Sequence, residues 1–266
     1  MIGGFRHLFP HGRFRFVLVA LSLIAAGISV SELIVMKIFT QLVLHEGDFD
    51  RSVLALAITG FFIFFLVTRV GQFFQRNYRV KALEKAFRRA SQGIETKQEN
   101  RAWSMAFELT NVLSQGTQLV AILFFFLLLN PLVALINGLI LLLILQIVGS
   151  IFKKQLRIQA ELNSAPAGSK PKPHTRHGLR IKAAETGALV SGGGMLILLG
   201  VLLYLSIAGD ITPANTLVIF LGARLQNSVI TGGSRSLMNY ARSNLRTVAD
   251  DDVEGAPLQD GHGPVR

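Results

Sequence analysis

Apolar runs long enough to cross a bilayer alternate along this chain with loops whose charge changes sign from one to the next, and that alternation leaves little room for anything but a polytopic membrane bundle. Arg6, Arg13 and Arg15 precede the first run and the acidic stretch His45 to Asp50 follows it. Nine Lys/Arg lie between Arg69 and Arg101, and Leu129-Asn130-Pro131 carries no charge. Eight more Lys/Arg lie between Lys153 and Lys182, then comes Gly209-Asp210, then Arg235, Arg242 and Arg246. Basic loops stay on the cytoplasmic side during insertion, so both termini and every second loop are assigned there. The net charge of +11 is thereby explained without nucleic acid, because the basic residues are divided among loops that abut apolar runs. With 50% hydrophobic and only 16% charged residues, the composition is that of a membrane protein. The absence of cysteine removes disulfides, thiolate metal sites and thiol nucleophiles.

Six spans are predicted, giving an all-α bundle of transmembrane helices over residues 1–249. The first, about 14–44, has a basic flank and an Ala25-Ala26-Gly27 segment like a secretory signal, but its apolar character runs past that point and marks an uncleaved span. The second, about 53–70, is followed by a basic, helix-favouring stretch from Gln72 to Arg89 in which no proline or glycine interrupts the pattern. Spans three and four, about 113–129 and 132–152, are separated only by Asn130-Pro131, a turn signal. Span five, about 183–208, and span six, about 213–232, flank Gly209-Asp210-Ile211-Thr212-Pro213, where Pro213 suits a first helical turn. Run six is the shortest and carries Arg224, so five spans is the alternative; five would leave Arg235, Arg242 and Arg246 outside, against the positive-inside bias. Three prolines in Ser164 to Gly178 predict a flexible cytoplasmic linker, and Asp250 to Arg266 a disordered acidic tail.

This order of elements, with the long extension after span two, the Asn-Pro hairpin and the Gly-Asp-Ile-Thr-Pro turn before a long sixth helix, resembles the membrane domain of ATP-binding-cassette exporters. The resemblance covers residues 1 to about 249 and rests on order more than on sequence. It implies a permease subunit, two copies of which, or one with a similar chain, line a substrate path in a bacterial inner (plasma) membrane. No phosphate-loop motif occurs in the chain, so it is expected to be no enzyme, to bind no cofactor, and to depend on ATP only through a separate ATPase subunit. Val190-Ser191-Gly192-Gly193-Gly194 imitates that family's ATPase signature but sits inside an apolar run, where glycines serve close helix approach. The proline-rich linker departs from the family, in which that loop is a helical pair ending in a coupling helix. The other contact with a motor is expected around Gly93 to Phe107, where Trp103 and Phe107 share one helical face; packing on their own helices is the competing reading and the favoured one. A membrane scaffold or regulator derived from the same fold is the alternative to transport, and an ion-coupled carrier using Glu32 lacks a recognisable proton relay.

Ionisable groups at membrane depth are costly and default to function. Glu32, Lys37 and Arg224 qualify. Glu32 and Arg224 are expected either to pair across the bundle or to meet substrate, while Lys37 snorkels towards the surface. His7 and His11, like His174 and His177, occupy loops without companion carboxylates or cysteines and read as solvated. Glu84, Glu95, Glu99 and Glu108 alternate with basic residues and read as a salt-bridged helical face.

Overall fold

The computed structural model describes residues 12–44, 50–90, 96–164 and 173–254, and within them every element is an α-helix. In chain order these are α1 (Gly12–Val43), α2 (Arg51–Ala90), α3 (Thr96–Leu129), α4 (Pro131–Ser164), α5 (Pro173–Ile207) and α6 (Pro213–Glu254). Five of them contain stretches long and apolar enough to cross a membrane: Phe16–Val43, Arg51–Gln75, Trp103–Leu129, Pro131–Ile158 and Ile181–Ile207. The protein is an integral, multi-pass membrane protein.

The connections are made by local chemistry. The Asn130 side chain accepts from the Val133 N–H at 3.0 Å, capping α4, and Pro131 fills the first helical position, where its missing N–H costs nothing. At the end of α5, Gly209 takes φ +80, and the Asp210 and Gly209 N–H groups return to the Leu205 and Ser206 carbonyls at 3.0 and 3.2 Å. That pair of bonds is a Schellman cap, which needs the left-handed conformation glycine adopts freely. Thr212 then caps α6 by accepting from the Asn215 N–H, with Pro213 at the first position.

The sixth helix differs from the other five. At 42 residues it is the longest, about 63 Å from end to end, yet it lacks a stretch apolar enough to qualify as a span. It packs against α1, α3, α4 and α5. It runs antiparallel to α5, from Thr216 beside Ser206 to Ser234 beside Gly187, and so traverses the whole bundle. Enclosure explains the composition: a helix surrounded by protein carries polar residues that lipid would not tolerate. By contrast α2 is peripheral, with 6% of its span window buried against 28–39% for the other four, and its chief neighbour is α1.

Two predicted boundaries move. The proline-rich linker shortens, because α4 continues to Ser164 and α5 begins at Pro173; a proline that would break a helix interior is tolerated in a first turn. Only residues 165–172 of it lie outside the described residues. The acidic tail likewise loses its first residues to α6, which reaches Glu254, and residues 255–266 are outside the described residues.

Close approach depends on particular glycines. A Cβ on Gly194 would stand 2.5 Å from Ile144 Cδ1, and one on Gly222 would stand 2.5 Å from the ring of Phe126, itself 0% exposed. Nothing lies within 4 Å of the equivalent position on Gly192 or Gly193, so within the glycine cluster it is Gly194 that admits the neighbouring helix. Gly222→Ala is therefore expected to destabilise the folded protein by about 1–3 kcal/mol, whereas Gly193→Ala changes stability by less than about 1 kcal/mol or raises it. Thermal unfolding of the two purified variants in one detergent checks the contrast.

Candidate functional site

The interior of the bundle is held by a polar seam where α4, α5 and α6 meet. Asn137 on α4 and Gln226 on α6 exchange two hydrogen bonds, Asn137 Nδ2 donating to Gln226 Oε1 at 2.8 Å and Gln226 Nε2 to Asn137 Oδ1 at 3.0 Å. Their exposures are 0% and 5%, so each amide has the other in place of water. Beside them the Ser191 hydroxyl on α5 donates to Asn227 Oδ1. Ile140, Ile144, Gly194 and Leu198 close around these groups and leave a cavity with room for about one water. Sequence reasoning aimed at ionisable groups passed over this seam; its signal was a neutral amide pair, Gln226-Asn227, and a lone Asn137 inside apolar runs.

The three intramembrane charges are not brought together. Glu32, half-buried on α1, accepts from Gln72 Nε2 of α2 at 2.7 Å. Gln72 in turn accepts from Arg69 Nη1 at 3.4 Å, and the Arg69 guanidinium lies over the Phe65 ring, 5.2 Å from its centroid. One amide thus couples Glu32 to a cation on the neighbouring helix. Arg69, counted with a basic loop by sequence, lies within the apolar stretch of α2. The expected Glu32 to Arg224 pair is absent, because Glu32 turns to α2 while Arg224 is exposed on α6. Lys37 is half-buried, six residues before the end of α1.

Trp103 and Phe107 are placed differently from a plug for a partner's groove. Their rings stack on each other, centroids 5.6 Å apart and planes at 10°, and both pack on a cluster of Leu18, Met105, Ala106, Leu109 and Tyr240 joined by Phe152. That cluster ties α1, α3, α4 and α6 together at the basic end. Burial raises the Tyr240 phenol above its ordinary range. Of the stretch Gly93 to Phe107, residues 96–107 belong to α3 and 93–95 lie outside the described residues. Beyond this cluster Asn239 donates to Glu108 at 3.0 Å, and Arg235 pairs with Glu185 at 3.6 Å. His7 and His11 lie outside the described residues, as do the side chains of His174, His177, Glu84, Glu95 and Glu99.

No protein-family model matches this chain, and no curated protein matches it.

Asn137→Leu or Gln226→Leu alone is expected to cost about 1–2 kcal/mol, since the surviving amide stays buried without its partner. The double variant is expected to cost less than the sum by about 1 kcal/mol, and a double-mutant cycle by unfolding in detergent measures that difference. For the aromatic cluster, Trp103→Ala is expected to lower stability by about 2 kcal/mol, seen in the same unfolding assay.

Proposed function

We propose that this chain is the membrane-spanning subunit of an exporter of the ATP-binding-cassette type, lining a substrate path and drawing energy from an ATPase outside these residues. The observation that carries this reading is the pairing of helical extensions at the basic end. Past its apolar stretch α2 runs on to Ala90, and α3 starts at Thr96, ahead of its own; α4 and α5 extend in the same way to Ser164 and from Pro173. Past the apolar stretches Pro131–Ile158 and Ile181–Ile207, α4 continues for about 9 Å and α5 begins about 12 Å ahead. Two helical pairs standing off the membrane on one side are suited to receive force from a soluble motor. Continuation of the chain as helix to Ser164 and from Pro173 supplies a second pair where the prolines predict a flexible linker, and this favours transport over the scaffold reading.

The enclosed α6 supports the same reading. It runs the length of the bundle and out at the basic end, so displacement of its basic end is carried to the seam at Gln226 through a continuous hydrogen-bonded rod. With the basic ends cytoplasmic by the positive-inside bias, both termini and the motor share one compartment. Two copies of this chain, or one with a similar chain, complete the path.

Purification of the tagged protein from its own membrane in mild detergent tests the proposal. A stoichiometric ATPase subunit is expected, whose hydrolysis falls when residues 91–95 and 165–172 are replaced by Gly-Ser sequence. Recovery of the intact bundle with no associated ATPase activity in membranes where the protein is functional overturns it.

A further inference from the structure

Among the described residues, the cations placed within the bundle fall into different situations. Arg69 is engaged by Gln72 and Phe65, and Arg235 by Glu185. Lys37 stands close enough to the end of α1 for its stem to carry the ammonium to the surface. Arg224 has none of these resources. It stands eleven residues after Pro213, about 16 Å along α6, directly after Gly222, which packs beneath Phe126 and Leu33, and Ala223, buried in the apolar core. Of the described acidic side chains, Glu32 alone lies deep in an apolar stretch, and Gln72 holds it.

Arg224 belongs to a strip. Leu217, Phe220, Arg224, Ser228, Arg235 and Asn239 lie along one side of α6, spaced three, four, four, seven and four apart, and after Pro213 they are the exposed residues among those of α6 whose side chains are described. A guanidinium at this depth does not face acyl chains; such groups look into a bundle interior or a water-filled space. A second copy does not seal the strip by itself. Two copies inserted in the same sense meet residue to residue at like depth, and the described carboxylate near the depth of Arg224, Glu32, is held by Gln72. What Arg224 lacks is an anion, and with Phe220 one turn above, the surface offers an apolar contact beside the charge.

We propose that Arg224 recognises the anionic head, phosphate or carboxylate, of an amphiphilic substrate that moves along this strip. This rests on the transport reading for its physiological role, but the binding itself requires only the intact bundle.

The test uses the full chain purified in a neutral maltoside detergent, with dodecyl phosphate, dodecyltrimethylammonium and inorganic phosphate as probes, and titration calorimetry as readout. Saturable binding of dodecyl phosphate is expected, weakened about tenfold or more by Arg224→Gln and kept within about threefold by Arg224→Lys and by Arg235→Gln. Ser228→Glu keeps the arginine and supplies a carboxylate one turn away; it is expected to weaken dodecyl phosphate as Arg224→Gln does, and it decides the matter if Arg224→Gln fails to insert. Binding that survives Ser228→Glu, or equal binding of the dodecyl cation, overturns the proposal, and inorganic phosphate binding as tightly as dodecyl phosphate overturns the amphiphile. Because no ATPase enters this assay, loss of binding with a motor still co-purifying removes the substrate class alone. Binding without any motor removes the transport reading alone.

Discussion

Everything in this bundle depends on the enclosure of α6. Arg224, Gln226, Asn227 and Ser228 fall within five residues in that helix, and lipid offers such groups no hydrogen-bond partner. The helix holds its place because α1, α3, α4 and α5 pack around it and Gln226 and Asn227, which turn inward, find an amide on α4 and a hydroxyl on α5. The outer helices obey the opposite rule. Phe62, Leu66 and Phe73 on α2, Leu139 and Leu142 on α4, and Leu196 and Leu203 on α5 are exposed, as residues that meet hydrocarbon should be. One constraint, satisfaction of polar groups without water, sorts the chain into one protein-facing helix and five lipid-facing ones.

Packing within that frame is driven by fit rather than by transfer from water, since acyl chains are as apolar as leucine. Small residues therefore mark the closest crossings. Gly222 lies under Phe126 and Leu33, Gly194 under Ile140 and Ile144, and Gly187 against Ser234. These three contacts fix α6 against α3 and α1, α5 against α4, and α5 against α6. The peripheral α2 is attached by other means: Phe61 lies near Phe39, Thr68 donates to Ser31 at 2.9 Å, and Gln72 reaches Glu32.

What the sequence made legible was local. Asn130-Pro131 and Gly209 to Pro213 announce their turns because cap side chains, a left-handed glycine and a proline at the first helical position act within four or five residues. The apolar runs announce the five lipid-facing helices for an equally local reason. Contacts across helices were not legible. Glu32 has Gln72 and not Arg224 as partner because α1 lies against α2 in a register that no single run encodes. Arg69 reads as loop by its charge, yet it sits within the apolar stretch of α2, stabilised by Phe65 and Gln72. Pro173 reads as a helix breaker until its position in the first turn of α5 is known. Trp103 and Phe107 share a face, as their spacing requires, but only the arrangement of α1, α4 and α6 turns that face inward.

The two faces of α6 also explain how one helix can hold a bundle together and still leave a charge open. Gln226 follows Arg224 by two residues, a rotation of about 200°, so the amide points into the seam while the guanidinium points away from it. Interhelical hydrogen bonds in membranes contribute about 0.6 kcal/mol each, and the two between Asn137 and Gln226 therefore hold the rotation of α6 by only about 1 kcal/mol. Their effect lies in specificity: turning α6 by one residue leaves both amides buried and unpaired, so orientations between the paired one and a fully opened one are disfavoured. A weak but specific lock of this kind fixes which residues of α6 turn inward and which lie on the exposed strip.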